Sequence, residues 1–188
     1  VDGFSLVAGI ELSVTWNRQT VHIVGLGLDP DNETLQQGLV GIMEFRQWRA
    51  KEIGRRLAKA GIEDAYRHAK GHSSGRLISR THFGRHLVEI GKARDMRDVF
   101  RHYLVAGKPR HLAGEWASLG EAVGWIRAAG GQAVIAHPAR YRMTRTKLRK
   151  FIGQFVECGG VGIEVVSGGH SRDDVFNMAR HAADFGLL

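Results

Sequence analysis

Two short runs near the start of the chain alternate apolar and polar positions. Residues 6–14 set Ile10, Leu12 and Val14 against Glu11 and Ser13, and residues 21–28 read Val-His-Ile-Val-Gly-Leu-Gly-Leu. A period of two predicts β-strands. Asn17-Arg-Gln between them is a tight turn, so the runs read as a hairpin or as neighbouring strands. Asp29-Pro-Asp-Asn ends the second run and supplies helix N-cap residues.

From about residue 33 the period changes. Leu35, Leu39, Ile42, Ile53 and Leu57 fall at helical spacings, with basic residues on the other face, and Gly61 is a candidate C-cap. His72-Ser-Ser-Gly is a loop. Ser79 then caps a helix that begins Arg-Thr-His-Phe, residues 95–103 form a short helix, and Gly107-Lys-Pro is a turn. Residues 31–115 thus read as helical throughout, with no strand. The pattern changes again after them. Ser118 with Glu121 three residues on is a capping box for a helix to residue 129. Apolar strands at 132–136 and 161–166 alternate with helices at 144–158 and 173–185. Strand–helix–strand–helix predicts a parallel α/β sheet or barrel.

Composition narrows the function classes. The chain has 188 residues, 43% of them hydrophobic, enough to bury a core of one domain or of a domain with an insertion. Its apolar runs are too short to span a bilayer, so no membrane partner is expected. The single cysteine, Cys158, excludes an intrachain disulfide framework and fits a reducing, cytoplasmic setting. The net charge of +8 fits an anionic partner such as phosphate, nucleotide or nucleic acid, and equally a generally basic surface.

Glu11 and His22 each sit mid-strand. On adjacent strands they can face one side, and a carboxylate with imidazoles suits Zn, Mn or Fe. Taken singly, Glu11 reads as a water-facing edge residue and His22 as a core histidine. His137 ends an apolar strand before Pro138. Glu164 and His170 lie at or beyond the end of the next strand, where α/β folds gather catalytic groups. A second constellation is basic. Arg46 and Arg49 share a helix face, Arg80 and His82 lie near a helix start, and Lys108 and Arg140 lie in turns with Tyr141. Guanidinium forks suit phosphate oxygens. There is no Walker-type loop, paired-cysteine zinc motif or nucleophilic serine elbow.

Gly9-Ile-Glu-Leu-Ser, Val21-His-Ile-Val-Gly-Leu, Ile135-Ala-His-Pro and Gly162-Ile-Glu-Val resemble, in order, successive motifs of the PHP (polymerase and histidinol phosphatase) family. Arg46-x-x-Arg-Ala, Ser79-Arg-Thr-His-Phe and Gly107-Lys-Pro resemble its bacterial subgroup of 3',5'-nucleoside bisphosphate phosphatases and 5'-to-3' exoribonucleases. The resemblance implies an α/β fold, part of a distorted (β/α)7 barrel with an all-helical insertion. Residues 1–30 and 116–188 would form the barrel and 31–115 the insertion. It implies a hydrolase with a trinuclear Mn, Zn, Fe or Mg cluster, with Glu11, His22 and His137 as ligands and catalytic residues. It implies substrate contacts from Arg46, Arg49, Arg80, Thr81, His82, Phe83, Lys108, Arg140 and His170, with a nucleotide or short RNA as substrate and no protein partner.

The opening His-x-His and Asp-His motifs and the closing Asp-x-His of that family are absent. The ligand set is therefore incomplete, and the chain by itself is expected to be inactive. The alternatives are a PHP phosphatase for another substrate such as histidinol phosphate, or a non-catalytic, basic nucleic-acid-binding domain.

Overall fold

A computed structural model describes residues 3–73, 75, 77–104 and 116–188. They form two compact units, one of Val1–Leu39 with Glu115–Leu188 and one of Val40–Gly114. In chain order the elements are β1 (Gly9–Trp16), β2 (Gln19–Leu26), α1 (Glu33–Ala58), α2 (Ala65–Gly71), α3 (Arg80–Glu89), α4 (Met96–His102), β3 (Ala117–Ser118), α5 (Leu119–Ala128), β4 (Gln132–Ile135), a 3-10 turn (Pro138–Tyr141), α6 (Arg145–Glu157), β5 (Gly162–Ile163) and α7 (Arg172–Phe185).

The first unit is built on a five-stranded sheet of order β3-β1-β2-β4-β5. β1 and β2 form the expected hairpin. Trp16 pairs with Gln19, and Asn17 (φ 46°) and Arg18 (φ 61°) make a two-residue loop of the left-handed kind that matches strand twist. β1 runs parallel to β3 and antiparallel to β2, while β2 is antiparallel to β4 and β4 parallel to β5. All strands therefore share one direction except β2. The sheet is mixed: β4 and β5, the strands read from strand–helix alternation, pair parallel, and the reversed strand is β2 of the hairpin. Within the apolar run 161–166, Gly162 and Ile163 lie in register with β4, and the hydrogen bonds to it run from Val161 N–H, which donates to the Ala133 carbonyl, to Glu164 N–H, which donates to the Ile135 carbonyl.

Register sorts the side chains onto two faces. Leu12 lies opposite Ile23, Val14 opposite Val21 and Ile23 opposite Ile135, and all of them are buried. Helix α5 covers this face closely. A Cβ built on Gly25 would meet Ile126 Cγ1 at 2.9 Å, so the strand needs glycine there. Helix α6 joins through Phe151, whose ring lies 5.1 Å from Trp16, and through Gln154, which accepts the Trp16 indole N–H at 2.7 Å. The opposite face carries Glu11, Ser13, His22 and Val24 and is the more open of the two.

The second unit is helical in its described residues. Its core is Ala50, Ile53, Leu57, Ile62, Ala65, Ala69, Phe83, Leu87, Ala93, Val99 and Leu104, contributed by α1 to α4 and the segments joining them. Gly54 lets the backbone approach of Tyr66, since a Cβ would stand 2.7 Å from that residue's Cβ. Among the described residues no helix is long and apolar enough to cross a membrane.

Candidate metal centre

On the open face of the sheet, Ser13 lies directly opposite His22, which places Glu11 on the diagonal from His22. His137 follows β4, where Ala136 N–H donates to the His22 carbonyl at 3.1 Å. It adopts left-handed φ 31° and turns its ring back toward β2. The three side chains meet. His22 Nδ1 is 3.0 Å from Glu11 Oε1, His137 Nε2 is 3.3 Å from the same oxygen, and the two ring nitrogens are 3.1 Å apart.

Hydrogen bonds can serve two edges of such a triangle at most, since two rings that both donate to Glu11 Oε1 bring their own N–H groups 3.1 Å apart. Each corner presents either an N–H or a lone pair along these short edges, so at least two corners are alike and one edge joins two donors or two acceptors. A cation among them satisfies all three at once. Ligand bonds of about 2.0–2.2 Å give polyhedron edges of about 3.0–3.5 Å, which is the spacing found here. Among the described residues this carboxylate and these two imidazoles are the group whose ligand atoms lie within 4.8 Å of one another. The chemistry of the donors and their spacing fit a divalent metal.

Two further groups hold this arrangement. Glu164, just beyond β5, accepts the backbone N–H of His137 through Oε2 at 2.5 Å. Tyr141 accepts the His22 N–H at 2.8 Å and donates its hydroxyl to the Ala136 carbonyl at 2.6 Å. Burial of this tyrosine pushes its acidity well below that of an ordinary phenol, so it stays protonated and remains a donor. In the sequence Glu164 was visible as a strand-end residue and Tyr141 as a turn residue. Neither carried a signal for these backbone contacts, which depend on pairing between distant segments.

The basic residues gather in the helical unit. Arg46 and Arg49 stand one turn apart on α1, and Arg80 opens α3. Burial, then the charges of Arg80 and Arg46, push the Arg49 guanidinium down to about 10. Burial also lowers Arg46 and Arg80. Three cations held together and partly out of water favour an anion, which would relieve both costs. Arg80 also donates to the Leu104 carbonyl at 3.4 Å. His82 Nδ1 accepts the Ser79 N–H at 3.1 Å. Burial first, then Arg85 and His72, lowers its pKa, leaving a neutral ring whose Nε2–H is a donor.

The remaining sequence candidates are dispersed. Thr81 is exposed and hydrogen-bonds Ser79 through its hydroxyl at 2.5 Å. Phe83 is wholly buried in the helical core, where its ring packs and does not face solvent. Arg140 is exposed in the 3-10 turn. His170 hydrogen-bonds the Val165 carbonyl within its own loop, through Nδ1 at 2.9 Å. Lys108 and the Gly107-Lys-Pro turn lie outside the described residues.

No family model matches the chain. It is 51% identical over 186 residues to a 3',5'-nucleoside bisphosphate phosphatase of Chromobacterium violaceum, covering 98% of this chain and 65% of that protein. It is 40% identical over 185 residues to a 5'-3' exoribonuclease of Haemophilus influenzae, covering 98% of this chain and 67% of that protein. A solved structure described as an amidohydrolase from Chromobacterium violaceum, with bound sulfate and no metal, matches with a TM-score of 0.91 and 51% identity. That match covers 97% of this chain and 64% of the other. The chain thus spans about two thirds of the length of the curated relatives it matches.

Proposed function

We propose, for a chain that belongs to the family of the Chromobacterium nucleoside bisphosphate phosphatase and the Haemophilus 5'-3' exoribonuclease, a metal-assisted phosphoester hydrolysis. Its substrates would be 3',5'-nucleoside bisphosphates, which lose the 3'-phosphate, and short RNA trimmed 5'-to-3'. The observation that carries this reading is the convergence of Glu11, His22 and His137 onto one point.

When bound by these three residues, a divalent cation supplies Lewis acidity toward water and phosphate oxygens. The protein's own contribution is positioning. Glu11 brings the negative charge that offsets the cation. His22 and His137 offer Nδ1 and Nε2, so their protons belong on the opposite ring nitrogens. Tyr141 and Glu164 fix the backbone from which the two imidazoles project. The role of Arg46, Arg49 and Arg80 is phosphate recognition, and the sulfate bound by the Chromobacterium relative, an anion of similar shape and charge, supports a phosphate ligand in this family.

Finer features belong to the same proposal. These are a distorted (β/α)7 barrel of the PHP family that carries residues 31–115 as an insertion, three Mn, Zn, Fe or Mg ions in the cluster, a nucleotide or short RNA as substrate, and a cytoplasmic setting. Thr81, His82, Lys108, Arg140 and His170 are its further substrate contacts. The parallel β4–β5 pair, with His137 and Glu164 at its carboxyl end, supports the barrel reading.

The test is phosphate release from adenosine 3',5'-bisphosphate by the full protein with added Mn, Zn, Fe or Mg. His137→Ala is expected to lower kcat on the order of 100-fold or more. Undiminished turnover in that variant would end the assignment. RNA binding that weakens steeply with salt, in a protein that takes up no metal, would instead identify a basic nucleic-acid-binding domain.

A further inference from the structure

Aromatic residues of the helical unit divide into two sets. Phe83 lies in the core, and Tyr66, Phe100 and Tyr103 pack against it. Trp48 on α1 instead leaves 53% of its surface in water. Phe45, one turn earlier on the same helix, contacts it with ring centroids 5.6 Å apart and planes at 36°. Such a pair, three residues apart, forms one continuous surface along the helix.

The positions interleaved with this pair are cationic. Arg46 follows Phe45 and Arg49 follows Trp48, and Arg80 lies close enough to Arg49 to depress its pKa. The nearest acid one turn beyond Trp48 is Glu52. Its carboxylate is already taken by Arg55 at 2.6 Å and Arg56 at 2.9 Å, which leaves exposed Glu44, one turn before Trp48, as the acid of α1 nearest the rings against Arg46, Arg49 and Arg80. An indole left half in water is costly for a helix that has a core to bury it in. Beside a group of partly desolvated guanidiniums, it fits a ligand that is flat and apolar in one part and anionic in the next. Single-stranded nucleic acid has that character, since every base has a π-face and every linkage a charge.

We infer that Phe45 and Trp48 form a stacking platform for a nucleobase of single-stranded RNA, with Arg46, Arg49 and Arg80 on the adjoining phosphates. The inference rests on the proposed nucleotide and RNA chemistry and extends it to a site for bases beyond the terminal nucleotide. A platform of this kind distinguishes an oligonucleotide, which can lay a second base on the indole, from a bisphosphate, which has only one base to offer.

The experiment measures binding to the full protein in metal-free buffer, so that nothing is hydrolysed. The ligands are 5'-phosphorylated pentaadenylate and adenosine 3',5'-bisphosphate, with Trp48→Ala, Trp48→Phe and wild type. The affinity advantage of the oligonucleotide over the bisphosphate should fall about tenfold in Trp48→Ala and be largely kept in Trp48→Phe, the range expected for one lost base stack. An unchanged advantage in Trp48→Ala overturns the platform. So does an equal loss of both ligands, which would make Trp48 structural, and so does self-association of the protein that Trp48→Ala abolishes while oligonucleotide binding stays intact. Failure of the wild type to release phosphate from the bisphosphate with metal present overturns the proposed function separately, and the pentaadenylate arm still decides the platform.

Discussion

The carboxylate of Glu164 accepts the backbone N–H of His137, not its ring, at 2.5 Å. His137 sits there at φ 31°, a conformation that non-glycine residues adopt at a cost. A charged acceptor on the amide of a strained residue holds the turn, and the turn aims the imidazole at Glu11 and His22. Glu164→Ala is therefore expected to weaken metal binding by about 10–100-fold, as outer partners of ligands do. Glu164→Gln keeps an acceptor oxygen and should lose less. Calorimetric titration with Mn or Zn on both variants checks this, and equal affinities in Glu164→Ala and wild type would refute it.

Tyr141 ties β2 to the end of β4 with one hydroxyl, accepting from His22 N–H and donating to the Ala136 carbonyl. Tyr141→Phe keeps the ring in its buried slot but strands both backbone groups. The expected loss is about 1–3 kcal/mol of stability, read from the denaturant midpoint, with a lower metal affinity because His22 projects from the freed strand. A variant as stable as wild type would show that water replaces the hydroxyl at no cost.

Much of this centre was legible in the sequence. The alternation around Glu11 and His22 gave both strands, and Asn17-Arg18 gave the turn, so their shared face followed once the hairpin closed. The Ser118–Glu121 capping box is present, with Ser118 N–H donating to Glu121 at 2.8 Å. What the sequence did not disclose depends on distant partners. That β3 runs along β1 and β4 along β2 is set by which edges of the hairpin pair, and local period says nothing of that. The run 161–166 looked like a full strand, yet its hydrogen bonds to β4 end at the Glu164 N–H, and Glu164 turns its carboxylate to His137. Ser79 resembled an ordinary cap, but its N–H is received by a histidine ring, His82, where a glutamate would be usual. Phe83 entered the substrate contacts through the Ser79-Arg-Thr-His-Phe resemblance, and the structure buries it in the helical core with Leu87.

The arginine group makes a prediction about ligands rather than folding. Arg49 is pushed down to about 10 by burial and by the charges of Arg80 and Arg46, a repulsion that a bound anion would relieve. Sulfate or phosphate should raise the melting temperature of the wild type in a concentration-dependent way, by linkage to binding. Arg49→Ala should lose most of that response, measured against its own melting temperature in anion-free buffer. In turnover, Arg49→Ala and Arg80→Ala should raise KM by about tenfold or more with a smaller change in kcat. A sulfate response identical in Arg49→Ala and wild type would place the anion elsewhere.

Acid should loosen the helical unit. His86 is buried on α3, its ring stacked on His68 of α2 with centroids 4.3 Å apart and planes at 4°. Burial lowers its pKa most. His68 and His72 add to the lowering, and Glu89 opposes it. The folded state therefore binds the His86 proton less readily than the unfolded chain, whose histidine titrates near 6.5. The neutral ring costs nothing above that value. As pH falls below about 6.5 the unfolded chain takes up the proton first, and stability declines until the folded pKa is passed. His82, lowered by burial and by Arg85 and His72, adds in the same direction. Melting followed by helical circular dichroism from pH 7.5 to 5 should show this decline. His68→Ala removes one opposing charge and should reduce the slope without abolishing it. A melting temperature independent of pH across that interval would mean that His86 keeps an ordinary pKa despite its burial.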